Sequence, residues 1–127
     1  MTEDQEQKQL IQWAKTIPEG QFLFHIPNEN IAGRKWGVRN RQLGVRSGVP
    51  DLCLPIPASG YHGLYIELKT IQGKPTDQQQ RWISALNGFG YLAVVCYGWE
   101  AAKDAIIRYL GEGYDRSMEP DENNVET

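Results

Sequence analysis

The six residues Leu64-Tyr65-Ile66-Glu67-Leu68-Lys69 restrict this chain more than any other stretch. They alternate without a break, so a strand here sends Leu64, Ile66 and Leu68 to one face and Tyr65, Glu67 and Lys69 to the other. One face is core; the other carries charge. Upstream, Pro50-Asp51-Leu52-Cys53-Leu54 reads as a second short strand, and Pro57-Ala58-Ser59-Gly60 between the two has the composition of a turn. The two strands predict a hairpin. With its turn centred near Ser59, antiparallel partners have numbers summing to about 118, which sets Asp51 opposite Glu67 with Cβ atoms roughly 5 Å apart.

Two carboxylates on one face repel, and partial burial raises the cost. A cation between them removes it. Mg²⁺ takes oxygen ligands and is commonly held by one or two carboxylates plus a substrate phosphate. Lys69, on the same face as Glu67, is placed to touch a water or a phosphate oxygen at such a site. Taken singly, Glu-x-Lys is most often solvated surface charge; the Asp51 partner is what gives it chemical weight.

A chain of 127 residues, 40% hydrophobic and 23% charged, is expected to form one domain with a single core. No apolar run approaches the roughly 20 residues that span a bilayer, and the polar, acidic N-terminus is unlike a signal peptide. A cytoplasmic protein without membrane contact is the expectation. Cys53 and Cys96 fall in apolar strand-like segments, as buried free thiols do, and no Cys/His spacing suggests zinc. Nothing points to a small-molecule cofactor.

The net charge of −3 conceals an asymmetry. From Glu112 onward there are six acids against Arg116 alone; the rest of the chain holds 12 basic and 10 acidic residues. Residues 112–127 therefore read as a disordered acidic tail, and 1–111 as the folded domain. Arg34, Lys35, Arg39, Arg41 and Arg46 fall within thirteen positions that contain no acid. Such a stripe suits a polyanion, although a solvated helix face has the same composition.

In chain order, residues 4–16 predict a helix with Leu10, Trp13, Ala14 and Ile17 on one side, stopped by Pro18-Glu19-Gly20. Glu3, Asp4 and Glu6 in its first turn suit the helix dipole. Gln21 to Ile26 predicts a strand closed by Pro27-Asn28, in which His25 reads as a hydrogen-bonded structural residue. A short helix is expected around residues 35–43, with Trp36 either anchoring the segment, the commoner role, or stacking on a base. Thr76 and Gln79 have capping-box spacing and open a helix whose buried stripe is Trp82, Ala85, Leu86 and Phe89. Tyr91 to Cys96 reads as a strand covered on both faces, and residues 99–110 as a last helix with Ala102, Ala105, Ile106 and Tyr109 inward. The order helix, three strands, helix, strand, helix gives an α/β sandwich with a mixed sheet, its hairpin central and helices on both faces.

Gly48-Val49-Pro50-Asp51-Leu52, then Glu67-Leu68-Lys69, then Pro75-Thr76-Asp77-Gln78 before a helix, Gly90 and an apolar strand, resembles the VRR-NUC (virus-type replication-repair nuclease) branch of the PD-(D/E)xK nucleases. The likeness runs from about Glu3 to Leu110 and includes His25-Ile26-Pro27-Asn28. It implies a restriction-endonuclease-like αβββαβ(α) core and Mg²⁺- or Mn²⁺-dependent phosphodiester hydrolysis. By the same resemblance Asp51 and Glu67 are metal ligands, Lys69 positions or activates the attacking water, and Gln78 approaches the site. It also implies a first-helix acid completing the metal site, best matched by Glu3 with Glu6 as rival. Small stand-alone members look like phage or bacterial homodimers acting on branched DNA, and Arg34, Lys35, Arg39, Arg41 and Arg46 would here hold its backbone. The alternative is a nucleic-acid-binding module that keeps the fold without cutting.

Overall fold

The structure, a computed structural model, describes residues 1–27 and 34–111. The expectations for Asn28, for the side chains of Arg34, Lys35 and Trp36, and for the acidic tail 112–127 lie outside the described residues. Four helices and four strands are described: α1 (Glu3–Ala14), β1 (Phe24–His25), α2 (Arg34–Gln42), β2 (Leu52–Leu54), β3 (Leu64–Lys69), α3 (Asp77–Gly88), β4 (Leu92–Tyr97) and α4 (Trp99–Leu110). The sheet runs β1-β2-β3-β4, antiparallel up to β3 and parallel between β3 and β4. Parallel strands need a crossover, and α3 supplies it. The result is a mixed sheet flanked by helices, with the β2–β3 hairpin at its centre.

The hairpin register follows from its turn. Ser59 (φ 52°) and Gly60 (φ 85°) both have positive φ, and Ala58 and Tyr61 exchange backbone hydrogen bonds of 3.2 and 2.8 Å across them. That is the two-residue turn whose twist matches paired strands. Leu52 pairs with Ile66, Cys53 with Tyr65 and Leu54 with Leu64, as the sequence register requires. The last helix then clamps the turn: the Ser59 hydroxyl donates to the Tyr109 carbonyl at 2.7 Å, and the Tyr109 hydroxyl to the Ile56 carbonyl at 2.5 Å.

The core lies between the apolar face of the sheet and the pair α1 and α4. Leu10, Trp13 and Ala14 from α1 and Ala102, Ile106 and Ile107 from α4 meet Leu52, Leu54, Leu64, Ile66 and Leu68. A capping box opens α1, with the Thr2 hydroxyl accepting from Gln5 N–H at 3.2 Å and the Gln5 amide accepting from Thr2 N–H at 2.8 Å. Cys53 and Cys96 are free and buried. Burial pushes the Cys96 thiol up to about 11, so it stays protonated and apolar.

Three local expectations are adjusted. The strand foreseen over Gln21 to Ile26 is only Phe24–His25, because Glu19–Phe22 form a 3₁₀ turn in which Gly20 packs against the Ala14 backbone. The last strand lies at the end of the sheet, so Leu92, Val94 and Val95 are only half-buried although α3 and α4 both pack on it. On α3, Leu86 alone of the expected stripe is buried; Trp82 and Ala85 are half-buried and Phe89 is 68% exposed. Helix α3 packs on β4, and Trp82, Ala85 and Phe89 lie on a face that borders a recess beside Ser47.

Candidate active site

Strand β3 turns Glu67 and Lys69 to the face opposite the core leucines, and Asp51, one residue ahead of β2, stands opposite Glu67 by continuation of the register. Asp51 is fixed by its surroundings. Its carbonyl accepts from Ile26 N–H at 2.7 Å and from His25 Nδ1 at 3.0 Å, which gives His25 the structural role its position suggested. Its carboxylate Oδ2 accepts from Leu68 N–H at 2.8 Å. The Asp51 carboxyl is thereby laid across the β3 backbone beside Glu67.

Glu67 is 1% exposed and Lys69 9%. Lys69 Nζ lies 3.6 Å from Glu67 Oε2, and Gln79 Nε2 donates to the same oxygen at 3.1 Å. The other oxygen, Oε1, is buried and has no hydrogen-bond donor among the described residues. Burial pushes the Glu67 carboxyl up to about 8; the adjacent Asp51 charge and a hydrogen bond to Asp51 act in the same direction, and Lys69 offsets them only in part. A carboxyl pair of this kind holds a proton or a cation at neutral pH, and it does not tolerate neither. Two carboxylates are a hard oxygen set, and the bare Oε1 gives them a direction: they fit a small divalent cation.

Gln79 is the site residue that sequence reasoning treated only as a helix cap. Its Oε1 accepts from Thr76 N–H at 2.8 Å in the capping box of α3, which leaves its amide NH₂ aimed at Glu67. The signal was available in its identity. Glutamate caps equally well, but would add a third negative charge to the buried pair. Gln78, expected to approach the site, accepts instead from the Ser47 hydroxyl, and its backbone packs against Gly48.

Gly48 explains its own place in the motif. Its φ is +90°, and a Cβ there would lie 2.8 Å from the Gln78 carbonyl atoms. Only glycine seats the loop before Asp51 against the first turn of α3. Gly48→Ala is expected to cost about 1–3 kcal/mol of stability, read from urea midpoints, with backbone strain and the clash both contributing.

The first-helix acids differ in what they touch. Glu3 is exposed, whereas Glu6 Oε1 accepts from Trp99 N–H at 2.9 Å and so caps α4, whose own N-cap Gly98 has no side chain to do it. Gly98 N–H in turn donates to the Lys69 carbonyl at 2.9 Å, tying Glu6 to the end of β3. Among the described residues, no group of three or more His, Cys, Asp or Glu side chains that could hold a metal ion is found. Glu6→Ala is expected to cost roughly 1 kcal/mol by loss of the cap, measured by chemical denaturation, with Glu3→Ala near neutral.

Of the basic stripe, Arg39 and Arg41 lie in the last turn of α2 and Arg46 follows it, all three exposed. Cations there also suit the helix dipole. No described helix is long and apolar enough to cross a membrane.

A search of curated proteins gives no match. A solved structure described as a VRR_NUC domain protein superposes with a TM-score of 0.76 at 30% identity, over 87% of this chain and 88% of that one. The sequence model of the VRR-NUC domain matches residues 2–100, which span α1, the hairpin with Asp51, Glu67 and Lys69, and the crossover to β4. By fold, by motif and by sequence, this chain belongs to the VRR-NUC family of nuclease domains.

Proposed function

We propose that the chain is a Mg²⁺- or Mn²⁺-dependent DNA nuclease, working in the cytoplasm as a homodimer on branched DNA. The observation that carries this reading is the buried Glu67 carboxyl beside the half-buried Asp51, with one Glu67 oxygen lacking a donor among the described residues and Lys69 alongside. A carboxyl held this way is relieved either by a proton shared with Asp51 or by a cation. A site that can exchange the one for the other is expected where a cation is bound in use. A binding module without chemistry gives no reason to put two acids where phosphate must approach.

Asp51 and Glu67 would hold the cation, which when bound supplies Lewis-acid chemistry: it offsets the phosphate charge and eases loss of a proton from water. The chain supplies the rest. Gln79 fixes the Glu67 carboxylate through Oε2 and leaves Oε1 free to ligate. The Leu68 N–H holds Asp51 in the same way. Lys69 donates to the attacking water or to a non-bridging phosphate oxygen, orienting one against the other. Arg39, Arg41 and Arg46, with Arg34 and Lys35, grip the DNA backbone without reading bases. A second protomer cuts the second strand of a branch.

The test is incubation of purified protein with branched and linear DNA in Mg²⁺, Mn²⁺ or EDTA. Metal-dependent cutting that Asp51→Ala and Lys69→Ala each reduce by at least about 10³-fold is the expected result. Cutting that survives either substitution rejects these roles.

A further inference from the structure

Helix α3 carries an apolar stripe that the described residues cover only in part. Gln78, Arg81, Trp82, Ala85 and Phe89 fall on one helical face and, with Ser47, line a cavity of about 380 Å³. That volume is within the range of small-molecule clefts, about 300–1,000 Å³. Trp82 and Phe89 give it aromatic walls, the hydrogen-bonded Gln78 amide and Ser47 hydroxyl give it a polar end, and Arg81 is exposed at the rim. None of its described lining residues is acidic.

The cavity is joined to the carboxylate pair by two short runs of chain. Gln78 is one residue, about 3.8 Å between Cα atoms, from Gln79, which donates to Glu67. Ser47 is bonded to Gly48 and leads within four residues to Asp51. Core packing among the described residues leaves the aromatic stripe partly open, and the chain that lines it runs directly into the segments that carry Asp51 and Gln79.

We infer that this cavity takes one unpaired nucleobase of the strand being cut, stacked against Trp82, with its edge toward Gln78 and Ser47 and Arg81 on the adjoining phosphate. This rests on the nuclease reading and narrows it to DNA with an unpaired nucleotide beside the scissile phosphate. Every base has a flat face that stacks on an indole, while amide and hydroxyl groups meet its hydrogen-bonding edge. A base within a duplex already has both faces stacked and its edge paired, so the cavity selects one outside the stack. The other occupant to weigh is a second copy of the chain. Three apolar side chains around a recess are few beside the roughly 20–30 residues a side that a stable interface uses.

The experiment uses the full chain carrying Glu67→Gln, in EDTA, so that no cutting occurs. It is titrated into a branched oligonucleotide with one unpaired 2-aminopurine at the branch, and into a duplex with the same base paired. Fluorescence of the unpaired probe is expected to fall on binding, and that of the paired probe to stay unchanged. Adding Trp82→Leu, which keeps apolar bulk but removes the stacking plane, should abolish the fall and weaken branched binding roughly tenfold while leaving duplex binding alone. Trp82→Phe should retain most of both effects, and melting curves of each variant check folding. Equal effects on the two DNAs, or quenching indifferent to Trp82, overturn the inference. So does a change from dimer to monomer by sedimentation with quenching intact, which assigns the stripe to a second copy. Quenching that tracks Trp82 in a protein whose wild type cuts no DNA would uphold the base site and reject the nuclease reading.

Discussion

Glu67→Gln is expected to make the protein more stable and less active at once. Burial and the Asp51 charge raise the folded-state value of Glu67 from 4.5 to about 8, so between those limits the folded chain binds more protons than the unfolded one. Stability from this group is complete below the unfolded value, declines as pH rises, and is lost above about pH 8. Glutamine stays neutral throughout. Its carbonyl still accepts from Gln79, and its NH₂ supplies Asp51 with the hydrogen bond that the protonated acid would give. At pH 8 in EDTA the variant should therefore melt on the order of 5–10 °C above wild type, an advantage that shrinks toward pH 5. Cleavage in Mg²⁺ should fall by at least about 10³-fold. A variant no more stable than wild type at pH 8 would mean that Glu67 is not held against its preferred charge state.

A divalent cation should repeat that stabilisation only where the proton is absent. At pH 8, Mg²⁺ or Mn²⁺ at 100 times its Kd should stabilise the wild-type chain by about 2.7 kcal/mol, seen as a rise in melting temperature. At pH 5 the shared proton occupies the pair, and the same addition should do little. Binding near neutral pH should release up to about one proton, which calorimetry in buffers of different ionisation enthalpy reads directly. Asp51→Asn and Glu67→Gln should each remove the effect. A melting temperature that rises equally at both pH values, or in both variants, would place the ion elsewhere.

The centre of this fold was legible because period and turn chemistry agreed. Strict alternation over Leu64–Lys69 fixed which side chains share a face, and Ser59-Gly60 set the register that puts Asp51 opposite Glu67. What the sequence hid was context. The pattern of α3 reads as a core helix because periodicity reports an apolar face but not whether a neighbour covers it. Gln21 to Phe22 has strand composition, yet the tight packing of Gly20 on Ala14 keeps the chain turning there. Gln79 and Glu6 were visible as a cap and a first-turn acid. That one reaches Glu67 and the other Trp99 depends on elements far along the chain.

The contact between Glu6 and Trp99 spans 93 positions, and α1 packs chiefly against α4. During synthesis the opening helix leaves the ribosome long before its partner exists, so the apolar face of the hairpin waits uncovered until residue 99 has emerged. Asp51, Glu67 and Lys69 are all translated by then, but the sheet that aligns them has no lid. The alignment of these side chains is therefore secured only once α4 has been made and packed, although each of them was translated well before it.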